Sequence, residues 1–128
     1  AAGSIGAAIA RRCADEGARV ALADRDAAGL AARAPLGGDA LSVVADVADE
    51  ESVARLFAAI DARFGRIDVL VNNAAVWDGD GPVTTIDAAA WDRVVGGTLR
   101  SGFLCGAQAI RRMVPQGGGA IVNIASVN

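Results

Sequence analysis

The chain has 128 residues and a formal net charge of −3, and 53% of it is apolar, enough for one buried core but not for several domains. It contains no His and no Tyr, and its twelve basic residues are all Arg, interspersed with fifteen acidic ones. Such mixing excludes a basic stripe for nucleic acid, and no apolar run reaches membrane-spanning length.

Residues 4–16 place Ile5, Ile9 and Cys13 on one helical face and Arg11, Arg12, Asp15 and Glu16 off it, with Gly17 as the stop. "RVALAD" at 19–24 reads as a short buried strand. An alanine-rich helix over roughly 26–34 ends against Pro35 and the Gly37-Gly38 turn. "ALSVVAD" at 40–46 is the next strand. Asp49 then caps a helix whose Val53, Leu56, Phe57, Ile60 and Phe64 recur at three- and four-residue intervals.

"RIDVLVNNAA" at 66–75 is a strand running into a loop. Asp87 caps a helical region that continues, interrupted at Gly96-Gly97, to about Val114, and "GAIVNIAS" at 119–126 is the last strand. Strands alternating with helices at this spacing predict one α/β domain over 1–128, a parallel sheet covered on both faces. Cys13 and Cys105 fall in helical patterns far apart, which suits free thiols in a reducing, cytoplasmic compartment. No signal-peptide pattern is visible.

The opening "AAGSIG" is a glycine turn leading into a helix. A helix N-terminus offers unpaired N–H groups and the positive end of the dipole, and glycines let a diphosphate approach the backbone. Turn glycines before helices are common, so Gly3 and Gly6 alone decide little. Asp24 adds weight, because a dinucleotide fold needs a carboxylate at the end of the second strand to accept from the adenosine ribose hydroxyls. Its charge repels a 2′-phosphate and favours NAD over NADP, while Arg25 beside it pulls the other way.

With "VNNAA" and "IVNIAS" added, the chain resembles the short-chain dehydrogenase/reductase family along its whole length. The resemblance implies a Rossmann-like doubly wound parallel sheet in three α/β/α layers, here incomplete, and an NAD(P)-binding role. Gly3, Ser4, Ile5 and Gly6 match the end of the family's diphosphate turn, with its Thr-Gly absent. Asp24 matches the ribose-binding acid, and Asp46 and Val47 match the pair at the adenine ring. Asn72, Asn73, Ala74 and Ala75 fall on Asn-Asn-Ala-Gly, and Ser126 on the catalytic serine.

Three positions depart from the family pattern. Ser4 stands where a glycine is usual, and Ala75 replaces another. Thr98 occupies the place of a catalytic asparagine on a kinked helix whose backbone carbonyl holds a relay water. The Gly96-Gly97 pair would preserve that kink. Thr98 then either supports the relay or simply bonds back to its own preceding turn.

The family's proton donor is a tyrosine in a Tyr-x-x-x-Lys helix after the serine strand, and the chain has neither Tyr nor Lys. It therefore reads as an internal fragment, without the strand before the glycine turn and without that helix. The strands at 19–24 and 66–75 are expected to flank the missing one. Alone, the 128 residues are expected to be inactive and not to fold stably.

The leading function is an NAD(H)-dependent alcohol dehydrogenase or carbonyl reductase. A non-catalytic dinucleotide-binding sensor or scaffold, and an extended-branch isomerase or dehydratase, stand as alternatives. Expected partners are a small alcohol or ketone and, through the helix represented by 98–114, further copies in a homodimer or homotetramer; no nucleic acid, membrane or metal is expected. Ala107 and Ile110 belong either to that interface or, more simply, to the core. Trp77 and the "WDGDGPV" loop line a substrate wall or pack on themselves.

Overall fold

The computed structural model describes residues 3–33, 39–77 and 81–126. Its elements are α1 (Ser4–Asp15), β1 (Val20–Asp24), α2 (Ala27–Arg33), β2 (Ala40–Val44), α3 (Glu50–Phe64) and β3 (Val69–Asn72). A 3₁₀ turn (Val83–Thr85), α4 (Ala88–Val95), a π turn (Gly96–Arg100), α5 (Ser101–Met113) and β4 (Ala120–Asn123) complete the order. The Pro35 and Gly37-Gly38 turn, and residues 78–80 of the loop after Trp77, lie outside the described residues.

Local chemistry sets the helix ends. The Asp49 carboxylate accepts from the Ser52 N–H at 2.7 Å, and Glu50 and Glu51 sit in the first turn of α3, where the dipole favours negative charge. At the other end Gly65 takes φ 72°, the left-handed conformation that lets its N–H reach the Asp61 carbonyl. Gly17, at φ 84°, turns the chain out of α1 in the same region.

The strands pair in two parallel couples. In one, Val20 to Asp24 of β1 face Ala40 to Val44 of β2; in the other, Val69 to Asn72 of β3 face Ala120 to Asn123 of β4. Strands β3 and β4 are shorter than the apolar runs at 66–75 and 119–126 suggest, because the ladder extends only where a neighbour supplies partners.

Among the described residues β1 and β3 do not pair with each other. Both line a cavity of about 410 Å³, walled by Ile9, Ala10 and Cys13 of α1 and by Leu56, Phe57 and Ile60 of α3. The gap expected between these two strands is therefore present as a slot between helices. An incomplete Rossmann-like α/β arrangement results, with parallel strands and the slot at its centre.

The larger core joins Val53, Leu56 and Phe57 of α3 to Cys105, Ala109 and Met113 of α5, with Ala45 and Ile67. A smaller cluster holds Ala10, Leu22 and Leu30. Cys105 and Cys13 are both free thiols, and burial pushes the Cys105 thiol up to about 11.

The interruption expected at Gly96-Gly97 is present as a change of hydrogen-bond ladder rather than a break in the helix. Its ladder widens to a π turn over Gly96–Arg100 and then resumes as α5. The Ser101 hydroxyl, almost fully buried, donates to the Gly97 and Thr98 carbonyls at 3.0 Å each and so serves acceptors in the widened turn. Ile110 is 51% exposed and lies outside the core, in a row with the exposed Leu99, Phe103 and Val114, whereas Ala107 is half-buried.

Candidate functional site

The C-terminal ends of β1, β2 and β3 open into one cleft of about 600 Å³. A crevice at the carboxyl ends of parallel strands is where open α/β sheets bind ligands. Gly3, Asp24, Arg25, Asp46, Val47, Asn73, Ala74 and Ala75 all line it, so the structure gathers eight sequence-predicted residues from four separated segments.

Each loop is held by its own polar side chains. Asp24 Oδ1 accepts from the Asp26 N–H at 3.0 Å, which closes a tight turn around its carboxylate. Asp46 Oδ1 accepts from the Ala48 N–H at 2.9 Å, while the Asp46 N–H donates to the Ser52 hydroxyl at 3.0 Å. Both carboxylates are acceptors when ionised and match hydroxyl donors on a ligand. The charged lining is net negative by one, with Arg25 and Arg93 set against Asp24, Asp46 and Asp92.

Helix α1 starts at the same cleft. Gly3 is extended (φ −68°, ψ 159°), no side chain among the described residues caps the helix, and the first intrahelical bond runs from the Ala7 N–H to the Gly3 carbonyl at 3.0 Å. Among the described residues a Cβ built on Gly3 would meet nothing within 4 Å, so open space faces this backbone. Open room at an uncapped helix N-terminus, with two acceptor carboxylates nearby, fits a dinucleotide.

Other candidates lie elsewhere. Gly6 is buried and lines the β1–β3 slot, and Ser4 and Ile5 are exposed and line neither cavity. Ser126 is exposed beyond the end of β4, and it does not line the cleft. Asn72 donates from Nδ2 to Asn123 Oδ1 at 2.9 Å and ties the ends of β3 and β4 together.

Thr98 is exposed, and its Oγ1 accepts from the Val76 N–H at 3.2 Å. Its hydroxyl thus serves the loop after β3. Bonding to the preceding turn is done by Ser101 three residues on. Gly97 lies against the same loop: a Cβ there would come 2.9 Å from Val76 Cβ and closer still to Val76 Cγ2.

Sequence reasoning missed the wall contributed by Asp92, Arg93, Gly96 and Gly97. Their spacing carried the signal, since positions 92 and 96, and 93 and 97, are four apart and share a helix face. Among the described residues no cluster of His, Cys, Asp and Glu could hold a metal ion, and no helix is long and apolar enough to cross a membrane.

The family model described as Enoyl-(Acyl carrier protein) reductase matches residues 1–128. The chain is 45% identical over 130 residues to cis-4-hydroxycyclohexanecarboxylate dehydrogenase of Sinomonas cyclohexanicum, covering 99% of this chain and 52% of that protein. A solved structure of levodione reductase superposes with a TM-score of 0.94 at 37% identity, covering 98% of this chain and 51% of the other. A metagenomic short-chain oxidoreductase solved in complex with NADP gives 0.92 at 36% identity, covering 99% and 59%. The chain spans about half the length of the curated relatives it matches. With a family model matched end to end and relatives alike in sequence and fold, the chain belongs to the short-chain dehydrogenase/reductase family of nicotinamide-dependent oxidoreductases.

Proposed function

We propose that the protein carrying this chain is an NAD(H)-dependent dehydrogenase or carbonyl reductase of small alcohols and ketones, and that the cleft holds the cofactor. One observation carries the reading: Asp24 closes β1 inside the cleft that Gly3 opens at the start of α1. The helix N-terminus receives the diphosphate, the Asp24 carboxylate accepts from the adenosine ribose hydroxyls, and Asp46 and Val47 border the adenine. Bound there, the nicotinamide supplies the hydride acceptor or donor.

The chain's own residues then divide the remaining work. Asn73, Ala74 and Ala75 shape the floor beyond the diphosphate, Ser4 and Gly6 hold the turn, and Ser126 supplies a hydroxyl for the substrate oxygen. Thr98 acts through the loop after β3, whose position its hydroxyl fixes. The dehydrogenase and reductase names of the relatives support this reaction class, and levodione reductase and cis-4-hydroxycyclohexanecarboxylate dehydrogenase point to a ring ketone or alcohol. The exposed row of Leu99 in the π turn, Phe103 and Ile110 on α5 and Val114 just after it supports self-association into a dimer or tetramer.

NAD is preferred because the Asp24 carboxylate repels a 2′-phosphate. The relative solved with NADP and the presence of Arg25 and Arg93 in the cleft make the ratio the measurement that matters. In the full reading frame, Asp24→Ala is expected to weaken NAD binding about tenfold and to leave NADP binding unchanged or improved, as expected for a lost hydrogen-bonded charge. Titration calorimetry with both dinucleotides checks it, and an unchanged NAD to NADP ratio sinks the assignment.

A further inference from the structure

The π turn reaches two of the loops that rim the cleft. Gly97 and Thr98 engage Val76 after β3, and two residues on, the Arg100 guanidinium donates to the Ala48 carbonyl in the loop between β2 and α3. Ala48 and Val76 both line the cleft, as do Gly96 and Gly97. Thr98 and Arg100 both belong to the widened turn, two residues apart, so the same turn serves two different loops.

The Arg100 contact falls on the tightest part of its loop. Ala48 also donates its N–H to Asp46 Oδ1 at 2.9 Å, and the Asp49 N–H returns to the Asp46 carbonyl at 3.2 Å. Fixing the Ala48 carbonyl therefore fixes the turn that presents Asp46 and Val47 to the cleft. A charged donor makes this bond stronger than a neutral one and holds a planar fork rather than a mobile point charge. Arg100 itself does not line the cleft.

We propose that Arg100 is a positioning residue for the adenine side of the cleft, tethering the Asp46–Val47 turn to the π turn that also sets the loop after β3. The proposal rests on the dinucleotide reading above. It assigns to an exposed arginine a part in ligand affinity that needs no contact with the ligand.

Arg100→Ala and Arg100→Lys in the full reading frame test it, with 5′-AMP as the probe of the adenine side. Calorimetry measures AMP binding, hydrogen exchange follows the Ala48 and Asp49 amides without ligand, and thermal melting reports global stability. Arg100→Ala is expected to weaken AMP about three- to tenfold, as for loss of one charge-assisted bond. Both amides should exchange faster, with the melting temperature nearly unchanged. Arg100→Lys should recover part of both effects, because an ammonium still donates to a carbonyl.

Unchanged AMP affinity and unchanged exchange in Arg100→Ala overturn the proposal. So does weaker AMP binding explained by a lowered melting temperature with exchange accelerated throughout the chain. If the unmodified protein binds neither AMP nor NAD, the dinucleotide reading itself falls, which is a different result from a variant that binds as well as its parent.

Discussion

The two sides of the cleft stand on unequal foundations. Asp46, Val47 and Asn73 leave a region in which α3 and α5 interlock, with Val53 and Phe57 each only 1% exposed. Asp24 and Gly3 leave a region resting on the three buried residues Ala10, Leu22 and Leu30. Burial of apolar area is the main favourable contribution to folding, so the α3–α5 side is the firmer one. A ligand bridging the cleft would thus draw a lightly cored side against a heavily cored one. In that picture most ordering on binding falls to α1, β1 and α2.

Core truncation breaks this contrast most directly. Phe57→Ala is expected to cost about 3–5 kcal/mol. Leu30→Ala belongs near the low end of its range, about 2 kcal/mol, because its cluster is small and open enough to collapse. Denaturant unfolding of the two variants in the full reading frame checks the order, and equal costs would erase the distinction between the two sides.

A smaller effect is expected at the seam. Gly97→Ala drives a methyl into Val76 and is expected to cost about 1–3 kcal/mol by overpacking. Val76→Ala in the same molecule should restore much of that loss, and additive costs in a double-mutant cycle would show that the close approach is immaterial.

The smallest effect concerns the ion pair that clips α3 to α5. Arg112 donates to the Asp61 carboxylate from Nε at 2.8 Å and from Nη2 at 2.7 Å. These hydrogen bonds hold the Asp61 carboxyl below the usual carboxylate range, with burial opposing them. A depressed native pKa gives stability that is present above the unfolded value near pH 4 and is lost as pH falls through the native one. Asp61→Asn should therefore flatten the acid limb of stability below about pH 4 and cost about 0.5 kcal/mol at neutral pH, since the Asp61 side chain is 45% exposed. An unaltered acid limb in pH-dependent unfolding would show that Asp61 contributes nothing to it.

Much of this was legible in the residues. The 3.6-residue spacing of Val53, Leu56, Phe57 and Ile60 named the buried face of α3, and Asp49, Asp87 and Gly17 marked helix ends through their own chemistry. The cleft could be assembled because Gly3, Asp24, Asp46 and Asn73 each end or begin an element at one edge of a parallel sheet. Less accessible was anything set by cross-chain distance. Nothing local to Thr98 says that its hydroxyl meets Val76, nor does Arg100 advertise Ala48, fifty-two positions earlier. The π turn was half visible: two adjacent glycines signal a weak point in a helix, but whether it bends, breaks or widens depends on Ser101 and on the loop packed beside it.

The split between the β1–β2 and β3–β4 couples has a consequence for how opening spreads among the described residues. A continuous sheet would pass strain from strand to strand through its hydrogen bonds, yet none cross here among the described residues. Helix α3, which packs on both β2 and α5, is the bridge instead. Among these residues the link between the couples is side-chain packing along one helix, and slow amide exchange in α3 gauges whether Asp24 and Asn73 move as one body or two.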